Sequence, residues 1–106
     1  MSEFEAQSSL SAAVQCSEAM RVCADAGDWE GVAALESERR VQIDACFSRP
    51  VPESERHRVM ADLHALLAIN EQLAQLARDA RAARADDLAA LKLGLRAVRA
   101  YGANDR

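Results

Sequence analysis

The sequence predicts an all-α fold, an antiparallel bundle of three helices that becomes four if the long last helix kinks near Gly94. Three observations predict it. Half of the 106 residues are apolar but only four are aromatic, and Ala and Leu dominate the apolar set. β-Branched residues are few and threonine is absent, a composition that favours helix over strand. The third observation is the stretch from Glu53 to Tyr101, which has no proline and a single glycine, Gly94. As one helix it would span roughly 70 Å, whereas no other segment could exceed about 36 Å at the same rise. The third helix should therefore outrun its neighbours. A chain of this length makes one domain, residues 1–106, with a single core.

The first helix is expected over about residues 3–26. Ser2 with Glu5 three positions on forms a capping-box pattern. Leu10, Ala13, Val14, Cys16, Met20, Cys23 and Ala24 recur at three and four residues as one small-residue stripe, with Ser17 and Arg21 near its edge. Gly27 ends the helix, because glycine enters the left-handed conformation at low cost.

Asp28 caps a second helix, expected over about 28–47. Trp29, Val32, Leu35, Ile43, Cys46 and Phe47 give it a buried face. Arg39 interrupts that face, with its stem on the core and its guanidinium reaching a rim carboxylate. Glu36 and Arg40 form an i,i+4 pair. The Ser48-Arg49-Pro50-Val51-Pro52 run stops this helix, since proline cannot continue one and restricts the residue before it. Such short links make consecutive helices antiparallel neighbours.

The third helix is expected over about 53–92, continuing or kinked to 101. Val59, Leu63, Leu66, Leu67, Asn70, Leu73, Leu76 and Ala77 make a stripe wide enough to cover both earlier helices, with Asn70 as a register-fixing polar position. The spacing assigns Trp29, Leu35, Ile43, Leu63, Leu66 and Leu73 to the structural core. From Ala77 to Asp87 the only large side chains are charged. Leu88, Leu91, Leu95 and Val98 then restore a clean stripe that ends at Tyr101. This second stripe needs a cover, which is a second copy, a fold-back at Gly94 or a client protein. The last residues, 102–106, are expected to fray.

Charge is unevenly spread over a net −4. Residues 1–77 carry six Arg against thirteen acids, a net −7, and residues 78–106 carry seven Lys/Arg against four acids, a net +3. An acidic body with a mildly basic tail argues against duplex binding, which needs a concentrated basic face. No apolar run approaches the roughly 18 residues of a membrane span, and the N-terminus lacks a secretory pattern. Cys16, Cys23 and Cys46 are odd in number and show no metal spacing. Cys16 and Cys23 lie about 10 Å apart along one helix, too far for a disulfide. They read as small buried hydrophobes in a reducing cytoplasm.

The inventory excludes catalysis. His57 and His64 are seven apart and cannot converge on a metal as an i,i+4 pair would. No nucleophile has a nearby base, no glycine-rich loop could cradle a phosphate, and Asp86 and Asp87 point about 100° apart. No cofactor, metal site or catalytic residue is expected.

Several short motifs fall together in a characteristic order: Ala26-Gly27-Asp28-Trp29-Glu30, then Leu35-Glu36, Arg39 or Arg40, and Ile43, then Ile69-Asn70-Glu71-Gln72-Leu73, then Gly94 and Ala100-Tyr101-Gly102. In order and spacing they resemble the FliT family of flagellar export chaperones over nearly the whole chain. The resemblance implies a cytoplasmic helical chaperone of type III flagellar export. Such a chaperone binds the filament-cap protein, FliD, prevents its premature assembly and delivers it to the export gate. Some relatives also bind the export ATPase and a motility master regulator. A tyrosine at the place of Tyr101 is associated in the family with docking at the gate. Relatives can have a polar loop before the terminal Ala-Tyr, where this sequence has Gly94 alone.

The client-binding residues implied by the uncovered stripe are Leu88, Leu91, Leu95, Val98 and Tyr101, a surface of the helix-in-groove kind. Two other classes compete. A homodimeric structural module would seal the same stripe against a second copy. A nucleic-acid binder would use Arg78, Arg81 and Arg84.

Overall fold

The computed structural model describes residues 2–104, and the side chains of residues 10–102. The fold is all-α: α1 (Ser2–Asp25), α2 (Trp29–Cys46) and α3 (Arg56–Asn104), with one 3₁₀ turn at Glu53–Glu55 before α3. The capping-box side chains of Ser2 and Glu5 lie outside the described residues. The chain divides into two compact units, Met1–Leu76 and Ala77–Arg106.

The turn between α1 and α2 follows from two residues. Gly27 has φ +76°, a conformation that costs a residue with a Cβ roughly 1–2 kcal/mol. That reversal lets Gly27 N–H donate to the Ala24 carbonyl at 3.0 Å and Asp28 N–H donate to the Cys23 carbonyl at 2.8 Å. The two bonds satisfy the last carbonyls of α1 in a Schellman arrangement. Asp28 then caps α2, its Oδ1 accepting from Gly31 N–H at 3.0 Å. The absence of a side chain at residue 31 is part of this cap, because a Cβ there would collide with the Asp28 carboxylate and crowd Cys23 Sγ. Gly31→Ala is expected to swing Asp28 out of its capping position and lose about 1 kcal/mol of capping. Because Ala gains about 1 kcal/mol over Gly within a helix, the cap is read by comparison with Asp28→Ala, whose denaturant midpoint should fall; an unchanged midpoint there would show that the cap contributes nothing.

At the other end of α2, Phe47 N–H donates to the Ile43 carbonyl and Ser48 Oγ to the Ala45 carbonyl. Pro50 and Pro52 keep the link extended; Pro52 has φ −62° and ψ 148°.

The core of the Met1–Leu76 unit shows the antiparallel course of the helices. Among the described residues one cluster joins Leu10 and Ala13 of α1, Cys46 at the end of α2, and Val59 and Leu66 near the start of α3. A second joins Met20 and Ala24 late in α1 with Ile69 and Leu73 of α3, and Trp29, Val32 and Leu35 from the start of α2 pack against it. The Leu10–Ala13 turn of α1 thus meets the end of α2, and the end of α1 meets the start of α2. Of the expected core residues, Leu66 and Leu73 are buried, while Trp29, Leu35, Ile43 and Leu63 are partly buried against the two clusters.

Four expectations from the spacing need correction. Ile69, not Asn70, faces the core, and Leu67 is 64% exposed. The buried line of α3 is Val59, Leu66, Ile69 and Leu73; it keeps Val59, Leu66 and Leu73 of the expected stripe and turns by roughly 40° toward Ile69, away from Leu67 and Asn70. Phe47 is also exposed, because α2 stops at Cys46 and its C-cap residue turns away from the core. Arg39 reaches a hydroxyl instead of a carboxylate. Its Nη1 donates to Ser17 Oγ at 3.1 Å, and Ser17 Oγ donates to the Ala13 carbonyl at 3.0 Å. Finally, α3 runs to Asn104, past the expected end at Tyr101; Asp105 and Arg106 lie outside the described residues.

Candidate functional site

The Ala77–Arg106 unit is the C-terminal stretch of α3, and its sequence explains its helicity without tertiary help. Ala, Leu and Arg dominate it, all strong helix formers. The helix assignment passes through Gly94 without interruption. Nothing lies within 4 Å of a Cβ placed at Gly94, so no close approach requires the glycine.

Every described side chain from Arg81 to Gly102 is exposed. Leu88, Leu91, Leu95, Val98 and Tyr101 are each between 50% and 74% exposed. At about 100° per residue, these five fall within an arc of roughly 140° on one face of the helix. Leu93 is exposed as well but sits on the far side. A monomer seldom leaves contiguous large apolar side chains in water, and such a face marks an interaction surface.

Among the described residues of the Met1–Leu76 unit, two concavities stand out. A groove of about 220 Å³ between α2 and α3 is lined by Arg39, Ile43, Leu63, Leu66, Leu67 and Asn70. The off-core positions of Leu67 and Asn70 open it. A shallow cleft of about 500 Å³ runs along the start of α3 beside Glu53, Arg56, His57, Met60, Ala61 and His64. Among the described residues no three His, Cys, Asp or Glu side chains converge on a point that could hold a metal ion. No helix among them is long and apolar enough to cross a membrane.

The cysteines are free thiols: Cys16 and Cys46 are buried and Cys23 is partly so. Cys16 Sγ donates to the Leu35 carbonyl at 3.1 Å, tying α1 to α2. Burial pushes the Cys16 thiol above its ordinary pKa, reinforced by the Glu38 charge and partly opposed by Arg39. Burial raises Cys46 too, with the Asp62 charge adding to it. Both thiols should therefore resist alkylation by iodoacetamide in the native state and react only in denaturant, as peptide mass mapping would show. The same shifts set a sign for stability. The unfolded chain ionises these thiols first as pH rises, so it releases protons that the folded state retains. Stability is then flat below the ordinary thiol range and falls through it, an effect that urea midpoints at about pH 7 and 9.5 would reveal. Substituting both cysteines with alanine should remove that difference.

Sequence spacing missed the Ser17–Arg39 pair as a structural link. The only available signal was that a serine at the edge of the α1 stripe and an arginine in the middle of the α2 face are both misplaced for a core.

Comparison with known proteins agrees with this architecture. No curated protein and no solved structure matches the chain. A family model described as flagellar protein FliT matches residues 7–103, which take in all three helices. The chain belongs to the FliT family, whose members are flagellar export chaperones.

Proposed function

We propose that the chain is the cytoplasmic chaperone of the flagellar filament-cap protein, holding it unassembled and delivering it to the export gate. Leu88, Leu91, Leu95 and Val98 form the client-binding face, and Tyr101 at its end docks on the gate. The observation that carries this reading is the apolar face itself, five large side chains at helical spacing and at least half exposed. The role of holding a client gives that exposure a purpose, because a chaperone must keep its binding surface open until the client arrives. The chemistry is that of a helix-in-groove contact, in which burying each Leu or Val releases about 1.5–3 kcal/mol.

The test is co-expression of the tagged chain with the filament-cap protein, followed by purification in high and low salt. A stable equimolar complex is expected. A chain that purifies alone, or as a homodimer that excludes the cap protein, would overturn the proposal. Tyr101→Ala should retain the complex and its melting temperature but lose binding to the purified export-gate component. Undiminished gate binding would leave Tyr101 as part of the client face only.

A further inference from the structure

The client-binding face has a charged border on one side only. Between Leu88 and Tyr101 the chain carries three cations, Lys92, Arg96 and Arg99, and no carboxylate. Measured from Leu88 at 100° per residue, the five apolar side chains lie between about 0° and −140°. Arg81, Lys92, Arg96 and Arg99 lie between about +20° and +80°. Beyond the opposite border lie Ala90 and Ala97, with Gly94 just inside it; on the turn before Leu88, Arg84 at about −40° and Asp87 at about −100° fall within the arc of the apolar face. None of the four cations has an acidic residue three or four positions away, so the helix cannot neutralise them along its own surface. All four are exposed, and none takes part in an ion pair found among the described residues.

We infer that the partner seated on this face is an amphipathic helix whose apolar stripe is bordered on one side by carboxylates that align with Arg81, Lys92, Arg96 and Arg99. This inference rests on the client-binding reading of the stripe and adds the chemistry of what it holds. Three considerations favour an acidic helix over other occupants. An antiparallel second copy would set this cationic border against its own, because like borders face each other in antiparallel pairing, and like charges there are destabilising. A parallel copy would meet Ala90, Gly94 and Ala97, whose one neighbouring carboxylate, Asp87, lies before the stripe and leaves Lys92, Arg96 and Arg99 without a counter-charge. An anionic membrane is matched by a helix with cations on both borders of its apolar face. Here they occupy one, and residues 1–77 carry a net −7 that would repel such a surface. A one-sided cationic border fits a one-sided acidic one, and it fixes which way the partner helix lies across the stripe.

The experiment uses the full-length chain and two synthetic helical peptides of about 20 residues, roughly 30 Å of helix. They share one leucine spacing and differ in carrying Glu or Lys along one border. Fluorescence anisotropy at low salt is expected to show the Glu peptide binding at least about tenfold more tightly than the Lys peptide, with the gap narrowing as salt rises. The variant K92E/R96E/R99E, whose exposed positions leave its circular dichroism unchanged, should reverse the preference. R96E alone should reduce it. Equal affinities for the two peptides, or a preference that survives the triple reversal, would overturn the inference. So would binding to phosphatidylserine vesicles in preference to the Glu peptide, or a salt-insensitive homodimer that Leu91→Asp dissolves. The cap protein separates this inference from the proposed function. If the wild type and K92E/R96E/R99E capture it equally, the chaperone reading stands and the acidic border is wrong. If neither captures it but the peptide preference still reverses, the acidic border stands and the cap protein is not the client.

Discussion

Leu10→Ala is expected to lower stability by about 3 kcal/mol, within the roughly 2–5 kcal/mol that burying and then deleting a leucine side chain costs. Leu10 has no solvent exposure and sits where α1, the end of α2 and the start of α3 meet. It shares its cluster with Ala13, Cys46, Val59 and Leu66, so the deletion leaves a hole inside a packed core and adds a cavity term to the lost transfer energy. Against a total of about 5–15 kcal/mol for a small domain the loss is large. It corresponds to a fall of roughly 12–25 °C in melting temperature, readable by circular dichroism. Leu67→Ala is the control. At 64% exposure it should change stability by no more than about 0.5 kcal/mol. A loss at Leu67 equal to that at Leu10 would mean that α3 faces its partners through Leu67 and Asn70 after all.

The second large effect concerns function. Leu91→Asp and Leu95→Asp are each expected to weaken binding of the cap protein by at least about a hundredfold, because a carboxylate would be forced into the centre of an apolar contact. Both side chains are at least half exposed, so the melting temperature of the free chain should stay unchanged. Titration calorimetry with purified cap protein reads the first expectation and a thermal scan the second. Wild-type affinity in both variants would move the client away from this face, with the α2–α3 groove around Arg39 and Leu67 the next surface to examine. A variant that only converts a dimer to a monomer would favour the structural role.

The fold class was legible because its signals are local. Gly27 and Asp28 form an end and a beginning side by side, Pro50 and Pro52 forbid helix between α2 and α3, and the long run after them contains almost nothing that breaks a helix. The rotation of α3 about its axis was not legible. Leu67 and Ile69 flank the same stripe on opposite sides, and a turn of roughly 40°, less than half the 100° step of one residue, decides which flank is covered. Only the shape of the α1–α2 surface decides between them, and that surface is a tertiary property. The Arg39 partner was hidden for the same reason, because residue spacing along α2 says nothing of a serine on α1. The apolar face from Leu88 to Tyr101 was plain from its period alone. The occupant proposed for it is written in no spacing, and comes instead from the resemblance to the FliT family.

The continuity of α3 through Asn104 has a thermodynamic consequence. Starting a helix is the costly step, and extending one is close to neutral for Ala, Leu and Arg. Packing from Val59 to Leu73 supplies the start, and from Arg81 to Gly102, where every described side chain is exposed, the helix continues turn by turn on its own propensity. Backbone amides on one unbroken helix should therefore exchange with deuterium in two regimes. Those near Leu66 and Ile69 would open only when the whole domain unfolds, and those near Leu95 would open by melting inward from the end. A client that lies along Leu88 to Val98 would meet a surface already wound into shape, and its arrival would be recorded as amide protection spreading outward along α3.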